Sequence, residues 1–454
     1  MKVGSVILAA GMSKRMKSAK PKVIHALLGR PMLAYSIEAA QTVSDVPPVV
    51  IVGYAADEVM RATTQPVTFA LQREQLGTAH AVLMSEESLK GKIDLVMITS
   101  ADMPLVSTET LEKLKKLQVS NSGPLSLVSI KADRSRGFGR LIRDENGSVL
   151  RIIEEKAAST EELLINEYNA GIYCVASDWL WDALHKIKKS SVGEYYLTDL
   201  LELAVSSGEK VEVLTLEDPN EAIGVNNRIH FAEIEKILRK SINEKYMLSG
   251  VTLIDPERIS IEPGVVIEQD TIIHPETYIK GNTHIGKNCE IGPGTFIEDS
   301  TIGDDCTILM SVLEGALLED HVEMGPFCRL RKGTHLGSYV HMGNFGEVKQ
   351  SHLGNGTKMG HFSYIGDAEI GEDVNIGAGT ITCNYDGQKK NKTVIGAGTF
   401  IGSDTMLVAP LTIGKNAVTG AGAVVTKDVN DGEKVVGVPA HVIHPENNEV
   451  KKDE

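Results

Sequence analysis

The chain has 454 residues, 42% of them hydrophobic, and its 46 basic and 61 acidic side chains give a formal net charge of -15. A chain of this length exceeds what one hydrophobic core usually supports, so we expect more than one domain. The acidic balance disfavours nucleic acid as a partner, because binding a phosphate backbone requires a basic surface. Anionic small molecules remain possible ligands of a few local Lys and Arg residues.

The cysteines and the N-terminus indicate a cellular compartment. The five cysteines are Cys174, Cys289, Cys306, Cys328 and Cys383. They are scattered, odd in number and lack a Cys-x-x-Cys pair, which favours a reducing environment over a disulfide framework. The sequence shows no signal-peptide pattern and no apolar run long enough to span a bilayer. We therefore expect a cytoplasmic protein with no membrane partner.

The first half of the chain alternates apolar runs with helical patterns. Val3 to Ala10, Val49 to Val52 and Leu95 to Ile98 are typical of buried strands, and Thr108 to Leu117 has an amphipathic helical pattern. This alternation predicts a Rossmann-like α/β domain with a mostly parallel sheet. From Ile229 to Ile242 the apolar residues form a helical stripe, which predicts a connecting helix.

After Gly250 the apolar period changes to six. Aliphatic residues recur at Ile261, Ile267, Ile273, Ile279, Ile285, Ile291 and Ile297, and after a phase shift at Leu318, Met324, Leu330, Leu336, Met342 and Val348. Further phases begin at Leu353, Ile370 and Ile395. Such hexapeptides are typical of a parallel β-helix, in which each forms one face of a triangular coil with its aliphatic side chain inward.

Two features interrupt this repeat. The polar segment from Cys383 to Thr393 breaks the period, and His361 with its neighbours lies outside the repeat positions. A solenoid can be a passive scaffold or a docking surface. Long insertions in solenoids usually have a function, however, so these positions are candidates for chemistry.

The N-terminal half contains two candidate ligand sites. A small-residue turn, Gly11 to Met16, follows the first strand, and its backbone N–H groups together with Arg15 and Lys22 suit a phosphate chain. An ordinary strand-to-helix turn has a similar composition. Asp102 follows the apolar run from Leu95, at the strand end where α/β sheets bind ligands, and a lone Asp suits Mg²⁺. The alternative role for Asp102 is a helix N-cap.

Further segments complete a recognisable set in the first half. They are Gln72 to Ala79, Gly137 to Arg140, Ile153 to Lys156, Asn169 to Gly171 and Gly224 to Arg228. With the turn and Asp102, this set resembles the sugar-1-phosphate nucleotidylyltransferases. It is most similar to the pyrophosphorylase domain of bacterial bifunctional N-acetylglucosamine-1-phosphate uridylyltransferases, and the resemblance covers essentially the whole chain.

The resemblance implies roles for individual residues. Arg15 and Lys22 are implied to hold the triphosphate during catalysis, and Asp102 and Asn226 to bind Mg²⁺, with Asn227 as the adjacent alternative. Gln72, Gly77 and Thr78 are implied to face the uracil, and Gly139, Glu154 and Asn169 the acetamido sugar. The full set implied to bind UTP or UDP-N-acetylglucosamine is Leu8, Ala9, Ala10, Gly11, Lys22, Gln72, Gly77, Thr78, Gly139, Glu154, Asn169 and Asn226.

Two positions depart from the pattern of this family. Ser13-Lys14 stands where Gly-Thr usually precedes the Arg, and Ser100-Ala101 stands where Tyr-Gly usually precedes the metal Asp. The chemistry itself needs no covalent catalyst, because the sugar phosphate is already a nucleophile. The protein has to align two anions and offset their repulsion while pyrophosphate leaves.

The second half contains a dense set of polar segments. They are Arg329 to Arg331, Gly343 to Lys349, Gly360 to Asp367, Asn375 to Gly379 and Thr382 to Gly387. The Gly-His-x-x-Tyr and Asn-Tyr-Asp-Gly segments resemble the acetyltransferase domain of the same bifunctional family, which implies a left-handed β-helix.

The resemblance assigns the acetyl-transfer residues as well. His361 is implied to be the general base that deprotonates the sugar 2-amine, with Glu347 and Asn384 orienting the amine and the base. The residues implied to bind glucosamine 1-phosphate are Arg331, Lys349, Tyr364, Asn375 and Lys390, and those implied to bind acetyl-CoA are Ala378, Asn384, Tyr385, Ser403 and Ala421. One further departure is Gly437-Val438-Pro439, where an Arg often precedes Val-Pro.

Three alternatives stay open at this point. A β-helix zinc hydratase would place His ligands between coils, and the candidates are His321, His335, His341, His352 and His361. A related transferase could act on another amino sugar or nucleotide. A scaffold with a degenerate transferase is the third.

The sequence therefore predicts a bifunctional enzyme of UDP-N-acetylglucosamine synthesis. Its predicted segments are a uridylyltransferase domain over residues 1–226, a linker helix over 227–249, and a β-helix acetyltransferase domain with a C-terminal tail over 250–454. We expect Mg²⁺ as the cofactor, UTP and acetyl-CoA as co-substrates, small-molecule sugar phosphates as the other partners, and a homotrimer assembled through the β-helix.

Overall fold

The computed structural model describes residues 1–12, 14–155, 158–190 and 193–443, and it leaves the side chain of Lys14 undescribed. Three features of the sequence lie outside the described residues: Ser13 of the turn that departs from the family pattern, Lys156, and the predicted C-terminal tail. The chain forms two compact units, Met1–Leu238 and Arg239–Glu454.

The first unit is built on a nine-stranded sheet with the central order β11-β7-β10-β6-β1-β4-β5. Its strands are β1 Val3–Leu8, β2 Ala26–Leu27, β3 Arg30–Pro31, β4 Val49–Val52, β5 Thr68–Leu71, β6 Leu95–Ser100, β7 Leu125–Lys131, β8 Arg140–Arg143, β9 Val149–Ile153, β10 Glu167–Ala176 and β11 Val211–Thr215. Strands β2 and β3 form a separate two-stranded ribbon. Strand β10 runs antiparallel to β6 and β7, whereas β1 pairs in parallel with β4 and β6.

Helices pack on both sides of this sheet. They are α1 Met32–Val43, α2 Ala56–Ala62, α3 Thr78–Leu83, α4 Glu86–Leu89, α5 Thr108–Ser120, α6 Ser177–Leu184 and α7 Asp199–Ser206. Helix α8, Arg228–Leu248, follows, and only its first half belongs to this unit. Helix α5 begins where the Ser107 hydroxyl accepts a hydrogen bond from the Thr110 amide, and it buries Leu111 and Leu114 against the sheet. The predicted α/β fold with a mostly parallel sheet is confirmed.

Three sequence-predicted boundaries shift in the structure. Strand β1 ends at Leu8 rather than Ala10, and β6 continues to Ser100. Helix α8 is longer than the apolar stripe, because Asn227 caps its start and no Gly interrupts it before Gly250, whose φ is +97°. The two compact units divide within α8, at Leu238 and Arg239, and the functional borders at 226 and 249 stay a prediction.

The second unit is a parallel β-helix with three faces, as the hexapeptide period predicts. Face 1 contains Thr252–Leu253, Ile272–Ile273, Glu290–Ile291, Thr307–Ile308, Glu323–Met324, His341–Met342, Lys358–Met359, Asn375–Ile376, Phe400–Ile401, Val418–Thr419, Lys434–Val436 and the antiparallel His441–Val442. Face 2 contains Ser260–Ile261, Tyr278–Lys280, Phe296–Glu298, Val312–Glu314, Arg329–Leu330, Gly346–Lys349, Ser363–Gly366, Ile381–Cys383, Met406–Val408 and Val424–Val425. Face 3 contains Val266–Ile267, His284–Ile285, Thr301–Ile302, Leu317–Leu318, His335–Leu336, His352–Leu353, Ala368–Ile370, Thr393–Ile395 and Leu411–Ile413.

The repeat residues form the β-helix core. Ile261, Ile279 and Ile297 on face 2 are fully buried and lie in register on successive coils. Each coil therefore buries its aliphatic residue on the one below, which gives stability through nearest-neighbour contacts. Among the described residues of both units, no helix combines the length and apolar character needed to cross a membrane.

Candidate functional site

Two adjoining cavities lie at the carboxyl ends of the parallel strands in the first unit. The first cavity has a volume of about 310 Å³ and the second about 360 Å³, both within the range of small-ligand sites. Residues lining the first cavity include Leu8, Ala9, Ala10, Gly11, Lys22, Gln72, Gly77, Thr78 and Asp102. Residues lining the second include Leu8, Arg15, Thr78, Asp102, Glu154, Asn169 and Asn226. Nearly all residues implied to bind nucleotide or sugar thus line one of two joined cavities.

Asp102 lies where the two cavities meet, and both of its carboxylate oxygens accept hydrogen bonds. The ammonium of Lys22 donates to Oδ2 over 2.6 Å, and the hydroxyl of Ser100 donates to Oδ1 over 2.6 Å. Strand β6 ends at Ser100, so the alternation of the strand presents Ser100 beside Asp102. Ser100, one of the two residues that depart from the family pattern before this Asp, therefore orients the Asp102 carboxylate in this chain.

Asn226 and Asn227 have different roles in the structure. Arg15 donates a hydrogen bond from Nη2 to Oδ1 of Asn226 over 2.7 Å, and the amide of Val225 donates to the carbonyl of Asp102. These contacts bring Asn226 to the side of the second cavity that contains Asp102. The side-chain oxygen of Asn227 instead accepts from the amides of Ile229 and His230 at the start of α8. The geometry thus favours Asn226 over Asn227 as a ligand residue.

Gly77 and Gln72 form a rigid wall of the first cavity. Gly77 has φ of +110°, and a Cβ there would lie 2.4 Å from the carbonyl oxygen of Tyr195, so only glycine fits. Gln72 is buried and donates from Nε2 to the Gly77 carbonyl over 3.0 Å. Thr78 accepts a hydrogen bond from the Leu197 amide. These contacts join the Gln72 to Thr78 segment to the chain around Tyr195.

The second cavity contains a carboxyl group with an altered pKa. Burial, and secondarily the nearby Asp199 carboxyl, raise the pKa of Glu154 above its ordinary value. Asn169 is buried, donates to the Tyr173 hydroxyl over 2.7 Å and accepts from the Gly171 amide. Burial raises the pKa of Tyr173, so its hydroxyl stays protonated.

Gly139 does not line either cavity but supports the second. Its carbonyl accepts a hydrogen bond from the Asn169 amide over 2.9 Å. A Cβ at Gly139 would lie 2.7 Å from a methyl of Ile152 and 3.6 Å from the Glu154 carboxylate. Its small size therefore sets how closely the β8–β9 hairpin approaches Glu154 and Asn169.

In the β-helix, one group of predicted residues lies on face 2. Glu347 and Tyr364 are in-register neighbours on successive coils, and Arg331 donates to the Glu347 carboxylate over 3.2 Å. The buried Asn384 donates to the Tyr364 hydroxyl over 3.5 Å and to the Asp367 carboxylate. Lys349 lies at the end of the strand that contains Glu347, and its carbonyl accepts a hydrogen bond from the Asp367 amide. The face therefore presents a continuous row of polar groups.

A second group lies along the edge between face 1 and face 2. The Gly379 amide donates to Phe362, that of Asp404 to Ala378, and that of Gly422 to Ser403. On the His361 coil the acceptor of this ladder is Phe362, but the strand register gives His361 a corresponding place. His361, Ala378, Ser403 and Ala421 each lie two residues after the inward residue of a face 1 strand, so they occupy corresponding positions on successive coils. The imidazole of His361 is exposed and has no hydrogen-bond partner among the described residues. The proposed base and three residues implied to bind acetyl-CoA therefore share one edge.

The insertion forms a closed loop on the edge between faces 2 and 3. The carboxylate of Asp386 accepts from the amides of Gln388 and Lys389 and from the Asn391 side chain. These contacts, the Lys389 amide first, lower the pKa of Asp386 to about 2. The Lys390 ammonium lies 4.6 Å from the centre of the Tyr385 ring. Asp386 thus holds the loop that presents these two predicted residues.

Asn375 lies apart from both groups. It is on face 1, in register with Lys358 and Phe400, whereas Tyr364 is on face 2. Within one chain, the predicted residues of the β-helix are therefore distributed over two edges and two faces.

Several cavity residues carry no signal that the sequence analysis used. Tyr196 lines both cavities, and Arg136, Phe138 and Tyr173 line the second. Tyr196 lies in a segment without a recognisable motif, and Tyr173 is within a strand. Only the Gly137 to Arg140 segment could have pointed to Phe138.

Three of the five histidines considered as zinc ligands form hydrogen bonds with carboxylates instead. His335 contacts Glu319 over 2.9 Å and His352 contacts Glu369 over 2.7 Å, and the two imidazoles stack. His341 contacts Glu323. Within the described ranges, no three His, Cys, Asp or Glu side chains come together as a metal site. The zinc alternative finds no geometric support there.

Comparison with known proteins agrees with both units. Residues 5–191 match the MobA-like NTP transferase domain, residues 261–345 the GMPPB C-terminal domain, and residues 392–427 the bacterial transferase hexapeptide repeat. The chain is 45% identical to the bifunctional protein GlmU of Thermosipho africanus over 97% of this chain and 95% of that protein. It is 44% identical to the Pelobacter propionicus GlmU over 96% and 95% of the two chains, and 42% identical to that of Streptococcus mutans over 94% and 93%. With joined ligand cavities in an α/β unit followed by a hexapeptide β-helix, the chain belongs to the GlmU family of bifunctional enzymes, and the predicted pairing of uridylyltransferase and acetyltransferase for UDP-N-acetylglucosamine synthesis is confirmed.

Proposed function

We propose that the first cavity binds UTP and the second binds N-acetylglucosamine 1-phosphate. The observation on which this rests is the position of Asp102, which lines both cavities and lies beside Lys22. The uridylyl group that passes from UTP to the sugar phosphate, with loss of pyrophosphate, would be transferred at this point. The uridylyltransferase segment is then residues 1–226, as the sequence predicts.

The residues at this junction would act by charge and position. Lys22 lines the first cavity and donates a hydrogen bond to Asp102, and Arg15 lines the second cavity and donates one to Asn226. If Lys22 and Arg15 exchange these partners for the phosphates of the ligands, they would offset the repulsion between the attacking sugar phosphate and the triphosphate. Gln72 and Gly77 would define the shape of the base site, and Glu154 and Asn169 that of the sugar site.

We also infer that Mg²⁺ binds at this junction. Asp102 and Asn226 offer carboxylate and amide oxygens, the hard ligands that Mg²⁺ prefers, and few protein ligands suffice because Mg²⁺ keeps several waters. When bound, the ion would add positive charge beside the phosphates of the nucleotide.

The β-helix unit is proposed to acetylate glucosamine 1-phosphate before uridylyl transfer. His361 would accept the proton of the 2-amine as it attacks the thioester of acetyl-CoA. Its corresponding position with Ala378, Ser403 and Ala421 on successive coils supports a coenzyme lying along that edge. Arg331, Lys349, Tyr364, Asn375 and Lys390 would bind the sugar phosphate.

We propose that the protein is a homotrimer with acetyl-transfer sites shared between chains. Along the edge between face 1 and face 2, Met310, Phe327, Phe345 and Phe362 are 42%, 55%, 58% and 55% exposed. Contiguous exposed apolar surface of this kind usually marks an interface. Asn375 lies across that edge from Tyr364, so a site that uses both could be completed by a neighbouring chain.

The activity proposal is tested by incubating the protein with glucosamine 1-phosphate or N-acetylglucosamine 1-phosphate, each with acetyl-CoA or UTP, and identifying products by mass spectrometry. The expected products are N-acetylglucosamine 1-phosphate from the first sugar with acetyl-CoA, and UDP-N-acetylglucosamine with pyrophosphate from the second with UTP. Equal use of other hexose 1-phosphates or other nucleotides would refute the assignment.

The assembly proposal has a separate test. A fragment ending at Asn243 should keep measurable uridylyltransferase activity and be a monomer by light scattering, whereas the full chain should be a trimer. A trimeric fragment would contradict an interface built by the β-helix.

A further inference from the structure

The loop from Asp133 to Gly139 borders the second cavity, and Arg136, Gly137 and Phe138 line it. Glu154 and Asn169 line the same cavity, and the Asn169 amide donates a hydrogen bond to the carbonyl of Gly139 at the end of the loop. The position of this loop therefore sets the width of the cavity.

Two side-chain contacts fix the loop. Arg136 donates from Nη1 to Oε2 of Glu233 over 3.0 Å and from Nη2 to Oε1 over 2.8 Å, a bidentate pair with the beginning of α8. Ser135 donates from its hydroxyl to the Glu155 carboxylate, and its carbonyl accepts from the Phe138 amide. The hydrogen bonds of Glu233 raise the pKa of Arg136, and those of Arg136 lower the pKa of Glu233, so both stay charged at neutral pH.

The backbone of Arg136 has an unfavourable conformation. Its φ is +48°, in the left-handed region that residues with a Cβ rarely adopt, and Gly137 follows with φ of +86°. Such a conformation persists only where surrounding contacts hold it. Among the contacts described for Arg136, the bidentate pair with Glu233 supplies that support.

We propose that Arg136 and Glu233 are positioning residues for the sugar phosphate: their ion pair holds the 133–139 loop at the width that fits the substrate. The inference rests on the proposed function of the second cavity. Arg136 acts through the loop, because Nη1 and Nη2 of its guanidinium are both bonded to the Glu233 carboxylate, which neutralises its charge. Loss of the pair releases Gly137 and Phe138 from their places in the cavity wall.

The test is a double-mutant cycle of Arg136→Gln, Glu233→Gln and both together, in the full-length protein. Each single variant should raise the KM for N-acetylglucosamine 1-phosphate roughly twofold to fivefold, the range expected for a partly exposed ion pair. The double variant should be no worse than either single one, since both remove the same contact. kcat, the KM for UTP and acetyl-transfer activity should stay near wild type.

Two further measurements separate positioning from general destabilisation. Amide hydrogen exchange of residues 133–139 should become faster in each single variant. The reversed pair Arg136→Glu with Glu233→Arg should restore both the KM and the exchange rate. The matched control is Arg151→Gln, which removes an exposed pair with Glu162 away from either cavity and should leave the KM unchanged.

The outcomes are distinct. If Arg136→Gln raises the KM but Glu233→Gln does not, Arg136 contacts the substrate directly and the positioning role is overturned. An unchanged KM in all three variants also overturns it. Asn169→Ala serves as the reference for the proposed function. If this variant leaves the KM for the sugar phosphate unchanged, the assignment of the second cavity fails. If Asn169→Ala raises that KM while the Arg136 and Glu233 variants do not, only the present inference is overturned.

Discussion

The ammonium of Lys22 lies 2.6 Å from the Asp102 carboxylate, so the residue implied to bind triphosphate is bonded to the residue implied to bind metal. Only 14% of the Lys22 side chain and 24% of the Asp102 side chain are exposed. A buried charge is costly unless it is paired, and this pair compensates both groups before any ligand arrives. Arrival of an anionic ligand with a cation would allow both residues to exchange partners.

Asp102→Ala should reduce UDP-N-acetylglucosamine formation by at least roughly a hundredfold, as expected for removal of a group that stabilises charge at the reacting centre. Pyrophosphate release measures this. Acetyl transfer in the same preparation should be nearly unchanged, because its residues lie in the other unit. Asp94→Ala, at the opposite end of β6, is the matched control and should retain activity. Near-normal uridylyl transfer by the Asp102 variant would remove Asp102 from the site.

Glu154→Gln should raise the KM for N-acetylglucosamine 1-phosphate roughly tenfold to a hundredfold, the range for a lost hydrogen bond to a charged group. The pKa of Glu154 is raised by burial and then by Asp199, so protonation begins at a higher pH than for an ordinary carboxyl. The wild-type KM should therefore increase as pH falls through that raised pKa. In Glu154→Gln, the pH dependence of this KM should reflect only the titration of the substrate phosphate. Identical pH profiles of the KM in the variant and the wild type would disprove a role for the Glu154 charge.

Glu154→Gln should weaken substrate binding but stabilise the folded protein. Because the folded-state pKa is raised, the folded protein binds a proton more readily than the unfolded chain, and stability falls as pH rises from the unfolded pKa to the folded one. Glu154→Gln removes this cost, so at neutral pH it should raise the melting temperature. Thermal unfolding at pH 7 of both proteins measures the difference.

His361→Ala should lower acetyl-transfer kcat by about 10²- to 10⁴-fold with little change in either KM, because a general base acts in the transition state. Uridylyl transfer should stay near wild type and reports correct folding. His341→Ala is the matched control, since that imidazole is exposed on face 1 and bonded to Glu323. If kcat survived and only acetyl-CoA affinity fell, His361 would be a binding residue.

Asp386→Asn should raise the acetyl-transfer KM roughly twofold to tenfold, since it weakens hydrogen bonds that close the loop of Tyr385 and Lys390. The pKa of Asp386 is lowered to about 2, so its contribution is present above the unfolded pKa and lost only as pH falls toward 2. The loop should therefore show no pH dependence from Asp386 between pH 5 and 8. Asn391→Ala, which removes one of the three contacts, should have a smaller effect, and an unchanged KM in both variants would contradict the role of the loop.

The sequence by itself determined the architecture of both units. The buried runs Val3 to Ile7 and Val49 to Val52 could form only interior strands. The aliphatic residues from Ile261 to Ile297, at a constant period of six, could be buried only in a coil of matching period. Periodicity is a local property of the chain, and burial of aliphatic side chains is the largest favourable term in folding. For the same reason the sequence alone places motifs that follow a strand, such as Asp102, at the strand end.

Only the tertiary structure decided which polar groups meet. The hydrogen-bonded pairs Lys22–Asp102 and Arg136–Glu233 join residues from distant segments, and so does the electrostatic effect of the Asp199 carboxyl on Glu154. No local pattern encodes these interactions. Likewise, the corresponding positions of His361, Ala378, Ser403 and Ala421 depend on the coil length between them, which the insertion changes. Hydrogen bonds and ion pairs act over a few ångströms in space, so their partners are set by how the hydrophobic core brings the chain together rather than by sequence spacing.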